Sequence, residues 1–154
     1  MRGRYGVAAV AVATALIGGA QAQADSGSVS DPSGDLPDII KLAYNNADSR
    51  VVMTMTYSGF RAQNESFYMR WGDGKYYQVF RPMGQEPQLR LNDPSSVKNC
   101  DGLKAREPSD VSTKVIVPRS CLTRAPDKLK FQGIATEGVA NSDETKVTKA
   151  IARG

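Results

Sequence analysis

Val51-Val52-Met53-Thr54-Met55-Thr56-Tyr57 places Val51, Met53, Met55 and Tyr57 at every second position, with Val52, Thr54 and Thr56 between them. Successive side chains of an extended chain point to opposite faces, so this run specifies a strand with one buried face and one wet face. A strand of that kind must be covered by a second layer. Runs of similar character recur at Ile39 to Tyr44, Glu65 to Trp71, Lys75 to Arg81, Gln88 to Leu91, Leu103 to Arg106, Thr113 to Val117 and Lys128 to Ala135. Between them lie turn-forming clusters such as Asn45-Asn46-Ala47-Asp48-Ser49, Pro82 to Pro87 and Asp93-Pro94-Ser95-Ser96. About eight short strands so spaced, with no good helical period among them, specify an all-β antiparallel sandwich or barrel.

The alternation also assigns faces. In the first strand Ile40, Leu42 and Tyr44 share a side; Leu89 and Leu91 do so in a later one, and Leu129 and Phe131 point inward near the end. Glu65 to Trp71 and Lys75 to Arg81 flank Gly72-Asp73-Gly74, a strong hairpin signal. With Asp73 and Gly74 as a two-residue loop, Trp71 faces Tyr76, Met69 faces Gln78 and Phe67 faces Phe80 on the core side. The opposite side then carries Tyr68, Arg70, Tyr77, Val79 and Arg81, with Arg70 directly across from Tyr77. A bulge of one residue would exchange the two faces.

Val115-Ile116-Val117 is a β-branched run suited to a buried strand, and Pro118 ends it because proline has no N–H for the ladder. Cys121 follows that stop, and Cys100 sits in the turn Asn99-Cys100-Asp101-Gly102. In an oxidising compartment a Cys100–Cys121 disulfide would staple two strand ends across a loop of about 22 residues, worth roughly 3 kcal/mol. The alternative is a pair of free or metal-bound thiols. Two cysteines without histidine need carboxylates to complete a tetrahedral zinc site.

Export is the expected fate of this chain. Arg2 and Arg4 supply a basic start, Val7 to Ile17 an uncharged apolar stretch, and Gly18 to Ala24 two overlapping A-x-A cleavage sites. Residues 1–24 are therefore expected to be a signal peptide cut after Ala24, or after Ala22. The other reading is an uncleaved membrane anchor, but about 11 apolar residues fall short of the roughly 17–25 that span a bilayer. Beyond the leader, 25–34 is polar and Gly/Ser-rich and reads as a flexible lead-in. Residues 35–136 form the single β domain. The charged stretch 137–154, with Val147, Ala150 and Ile151 at half-helical spacing behind Ser142, reads as a disordered or lightly docked tail.

Charge and missing residue types narrow the function. The formal charge is +4, half of it from Arg2 and Arg4, and the other basic residues are interspersed with acidic ones rather than gathered in a stripe. Nucleic acid is not an expected partner. The chain has no histidine, which removes imidazole acid–base catalysis, Ser-His-Asp and Cys-His nucleophiles and His metal sites together. No phosphate-binding glycine loop, G-x-S-x-G or C-x-x-C is present, and no cofactor is implied. Carboxylates survive as candidates, yet none of the glutamates is expected to be buried, as a tuned catalytic carboxyl must be.

Two groups of residues remain as binding candidates. Tyr68, Arg70, Tyr77 and Arg81 on the outer side of the hairpin join aromatic faces that stack on sugars to guanidinium groups that grip carboxylates or sulfates. The plainer reading is a cation–π pair on a solvated sheet. Asp31, Asp35 and Asp38 bring hard oxygen ligands together in a turn and could hold calcium, without the spacing of an EF-hand loop; the plainer reading is turn-forming and strand-capping aspartates.

Asp31-Pro32-x-Gly34-Asp35, Arg50-Val51-Val52-Met53-Thr54, Cys100-x-Gly102-Leu103 and Val117-Pro118-Arg119-Ser120-Cys121-Leu122 resemble elements of a group of small secreted actinobacterial proteins without an assigned activity. The resemblance spans most of Asp31 to Ala135 and implies a jelly-roll-like antiparallel β-sandwich with one disulfide. The Gly-Asp-Gly-Lys hairpin and the longer charged tail depart from that group. The resulting expectation is a secreted, non-enzymatic module that binds a glycan or cell-envelope component. The alternatives are an extracellular interaction or inhibitor protein acting through a loop such as Pro82 to Pro87, and a carboxylate-based hydrolase.

Overall fold

A computed structural model describes residues 25–32, 34 and 36–154. Its strands are β1 (Asp25–Ser30), β2 (Ile39–Asn46), β3 (Arg50–Tyr57), β4 (Asn64–Trp71), β5 (Lys75–Pro82), β6 (Gln88–Leu91), β7 (Val97–Lys98), β8 (Lys104–Ser109), β9 (Ser112–Pro118), β10 (Lys130–Glu137) and β11 (Asn141–Glu144). They form two antiparallel sheets, one in the order β1-β2-β3-β9-β8 and the other β11-β10-β4-β5-β6-β7. The chain is thus an antiparallel β-sandwich. In the second sheet, the meander β4-β5-β6 and the returning β10 give the spatial order 10-4-5-6 of a Greek key. All eight expected strands are present, joined by β1, β7 and β11.

The core is the layer where the inner faces meet. Val51, Met53, Met55 and Tyr57 of β3 all face inward as the alternation requires, beside Val115 and Val117 of β9 and opposite Phe67, Met69, Val79, Leu89 and Phe131. Gly133 of β10 lets the sheets approach closely: a Cβ there would lie 2.6 Å from Met55 Sδ. In β2 the expected face is corrected by a bulge between Ile39 and Lys41. Ile39 and Leu42 are buried and Ile40 is exposed, because the extra residue shifts the parity within the strand.

The lead-in differs from expectation, and of the two forms expected for the tail, disordered or lightly docked, the structure has it docked. The lead-in contains β1, paired with β2 at all six of its residues. Its side chains bury little, so the backbone ladder holds it, and Gly27 lies against the Tyr44 ring where a Cβ would be 2.5 Å from the hydroxyl. The tail is neither disordered nor helical. After β11 it runs along β10, with the amides of Thr145, Thr148 and Ile151 donating to the carbonyls of Gly133, Phe131 and Leu129. Three tail residues advance for each two of β10. The threonine hydroxyls fill the acceptor positions left by this mismatch, taking the amides of Gly133 (3.0 Å) and Phe131 (2.9 Å). Gly154 then bridges to the other sheet through backbone bonds with Asn46 and Asp48. The domain therefore includes both segments, whereas the leader expected over 1–24 lies outside the described residues.

Cys100 and Cys121 form a disulfide across 21 residues, with a Cα–Cα distance of 5.4 Å. It ties the entry to β8 to the 3-10 turn Arg119–Cys121 that follows β9, and so closes the open end of the β8–β9 hairpin. Loop-closure entropy predicts that Cys100→Ser/Cys121→Ser lowers unfolding stability by about 3 kcal/mol. Urea unfolding of the variant beside the oxidised protein checks this; equal midpoints would refute it.

Candidate functional site

The β4–β5 register decides what the second sheet displays. Trp71 pairs with Lys75, Arg70 with Tyr76, Met69 with Tyr77 and Phe67 with Val79, around the three-residue loop Gly72-Asp73-Gly74. Gly72 and Gly74 both take positive φ (58° and 68°), which glycine permits at no steric cost. The added loop residue exchanges the faces of β5. Tyr77 and Arg81, expected on the outer face, are instead buried between the sheets, at 2% and 5% exposure. Tyr76, Gln78 and Phe80, expected in the core, are on the outer face with Tyr68 and Arg70, where neighbouring side chains leave Gln78 buried at 5% exposure.

Cross-strand pairing aligns these outer side chains in rows. One row runs Lys130–Arg70–Tyr76, the next Gln132–Tyr68–Gln78–Arg90–Val97, and a third Ile134–Ser66–Phe80–Gln88. Tyr68 and Tyr76 meet edge to face, 5.3 Å between ring centres. The Arg70 guanidinium lies 4.3 Å from the Tyr68 ring centre and 5.6 Å from that of Tyr76, and its Nε donates to Gln132 Oε1 at 2.9 Å. Arg90 lies 4.0 Å over Phe80 and donates to Gln88. Asn92, at φ 55°, continues the ladder past β6 by accepting the Tyr76 amide on Oδ1 at 2.7 Å, which fixes Tyr76 beside Tyr68. Burial, and next the neighbouring Tyr76, push the Tyr68 phenol above its ordinary pKa, so it is a neutral donor.

Among the described residues, two buried polar atoms at the middle of this face are unsatisfied, where Gln78 and Gln132 are only 5% and 7% exposed. Gln78 donates to Ser66 Oγ, but its Oε1 has no partner among the described residues, and neither has Arg90 Nε directly across from it. The face also has a charge bias: Arg70, Arg90 and Lys130 point outward, while among the described residues of these strands Glu144, at the edge beside Gln132, is the carboxylate on the same side. The outer face of the first sheet offers a cavity of about 140 Å³ lined by Ala43, Tyr44, Asn45, Val52, Thr54 and Lys114, without arginine.

Arg81 belongs to a second cluster, at the end of the sandwich away from the disulfide. Directly across from it on β4 is Glu65, fully buried, contrary to the expectation that no glutamate would be. Glu65 accepts from Tyr57 (2.9 Å) and Arg81 (2.8 Å). Arg81 also pairs with Glu107, which the bulge in β8 turns toward it, and Arg61 pairs with the same carboxylate. Burial, and next Glu65, hold the Tyr57 hydroxyl protonated far above its ordinary pKa. Burial works against the Arg81 charge, but its hydrogen bonds to Glu65 and Glu107 outweigh it and raise the pKa.

Asp31 and Asp38 flank the start of β2, while Asp35 lies outside the described residues; among those described, no three metal-ligating groups converge. No described helix is long and apolar enough to cross a membrane. Comparisons with protein families, with curated proteins and with solved structures found no match to this chain.

Two outcomes test the buried cluster. Glu65→Ala leaves the Arg81 charge without its inner partner and is expected to cost about 3–5 kcal/mol, whereas Glu65→Leu/Arg81→Met recovers most of that loss; chemical denaturation of both variants checks it. The Arg61 hydrogen bond, and after it Arg81, hold the Glu107 carboxyl below its ordinary value of 4.5. A depressed folded pKa means the contribution is complete above pH 4.5 and is lost as pH falls through the folded value. Thermal melts from neutral pH to pH 3 should therefore fall less steeply for Glu107→Gln than for the parent.

Proposed function

We propose that this chain is a secreted, non-enzymatic binding module that takes a glycan of the cell envelope or surroundings on the outer face of its second sheet. The observation that carries this reading is the cluster of Tyr68, Tyr76 and Phe80 on one sheet face, with the guanidinium groups of Arg70 and Arg90 set against the rings. Aromatic surfaces take the apolar faces of sugar rings, and the interleaved polar groups take hydroxyls. An extracellular setting is supported by the disulfide, by the basic-then-apolar start of the sequence and by the resemblance to small secreted actinobacterial proteins. A non-enzymatic role is supported by the absence of histidine and by the engagement of the buried carboxylates among the described residues, Glu65 by Tyr57 and Arg81 and Asp143 by the amides of Ile39 and Glu144.

A second reading, a protein-interaction module, is favoured by the loop between β5 and β6. There Met83 is 49% exposed beside a cleft of about 330 Å³ lined in part by Arg81, Glu86, Pro87 and Glu107.

The parent protein is expected to give discrete signals on a glycan array. Tyr76→Ala should abolish them while keeping the parent's melting temperature within a few degrees, and Thr54→Ala on the opposite sheet should leave them unchanged. Binding that survives in Tyr76→Ala removes this face from the reading. Recovery of one stoichiometric protein from culture supernatant, lost on Met83→Asp, would favour the second reading.

A further inference from the structure

We infer that the ligand of this face is acidic, specifically a polysaccharide bearing uronic acid carboxylates; the inference rests on the glycan reading above. Three cations and one edge carboxylate give the face a single dominant sign, and Glu144 is already directed to Gln132 at 3.4 Å. A neutral glycan needs no such bias. Complementary charge selects partners by excluding those of like sign and by raising the association rate.

The position of the charges narrows the chemistry. Arg70 and Arg90 do not stand clear of the sheet on flexible stems; each lies against an aromatic ring, at 4.3 and 4.0 Å from its centre. That contact, with the Arg70–Gln132 and Arg90–Gln88 hydrogen bonds, orders the guanidinium groups before any ligand arrives. The two Nη atoms of Arg70 have no partner among the described residues, so one planar edge remains for a planar, two-oxygen acceptor. A ligand that meets ring and guanidinium together must carry its anion within one sugar of its stacking face. A carboxylate attached directly to a pyranose ring satisfies that condition. From strand spacing and rise, the Cα atoms of Arg70 and Arg90, two strands and two residues apart, are separated by roughly 12 Å. The face is therefore long enough to meet more than one acidic residue of a polymer rather than one isolated anion.

The test uses the full secreted chain with three polymers: polygalacturonate, the same polymer after carboxyl reduction, and dextran sulfate. Polygalacturonate is expected to bind, roughly tenfold or more tighter than its neutral form, and to weaken as salt shortens the screening length. Arg70→Gln/Arg90→Gln should lose that preference with an unchanged melting temperature. Arg70→Lys, which keeps the charge without the planar fork, should lose most of it. Equal binding of the neutral polymer, retained in the arginine variants, would overturn the acidic inference and leave the glycan reading standing. Dextran sulfate bound as tightly as polygalacturonate would also overturn it, as plain ion exchange. No binding to any of the three, nor on a glycan array, would sink both.

Discussion

The two sheets meet through one layer of interlocked side chains, and everything the molecule displays depends on which parity of each strand enters that layer. In β4 and β5 the inward set includes an ion pair, Glu65 with Arg81, among Phe67, Met69, Tyr77 and Val79. Removing these charges from water carries a desolvation cost that their attraction barely offsets, so the pair adds little net stability over an apolar pair. Its effect is on register. A slip of one residue in β5 would take Arg81 away from Glu65 and strand the carboxylate in the core, an outcome far costlier than the small packing differences between alternative pairings. Tyr57 on the facing sheet donates to the same carboxylate, so the lock also sets how the sheets lie on one another.

The make-up of the second sheet's outer face follows from the same constraint. With Tyr77 and Arg81 held inside, Tyr76, Gln78 and Phe80 must point outward beside Tyr68 and Arg70, and β6 adds Arg90 in line with them. The face is carried by paired strands rather than by loops, and its side chains are braced by hydrogen bonds and ring contacts. The molecule is closed differently at its two ends, by a disulfide at one and by Arg61, Glu107, Arg81 and Glu65 at the other. The first closure withstands acid; the second weakens in it.

Much of this architecture was legible in the residues. Strict alternation identified β3 and its inner face, the valine run with Pro118 identified β9 and its end, and the two cysteines matched strand ends that lie together. What was not legible turned on single-residue offsets. Gly72 and Gly74 are both free to take positive φ, so the sequence allows a two- or a three-residue loop, and only the fit of Phe67, Val79 and the Glu65–Arg81 pair against the opposite sheet selects the longer one. Of the four expected face residues, Tyr68 and Arg70 hold their place, whereas Tyr77 and Arg81 moved to the core. The second glycine was the signal that could have found Tyr76 and Phe80. The bulge at Ile40 had no comparable mark. The strand at Asp25–Ser30 and the path of the docked tail were not legible for another reason: backbone ladders and threonine hydroxyls hold them, and neither leaves an apolar period in the sequence.

The tail has a consequence for how copies of this molecule behave toward each other. A bare strand edge is a template onto which another chain can grow, and long, flat edges are where sheets polymerise. Along β10 that template is erased, because Thr145 and Thr148 occupy its amides with hydroxyls and the three-for-two spacing leaves no regular row of donors and acceptors for an incoming strand to copy.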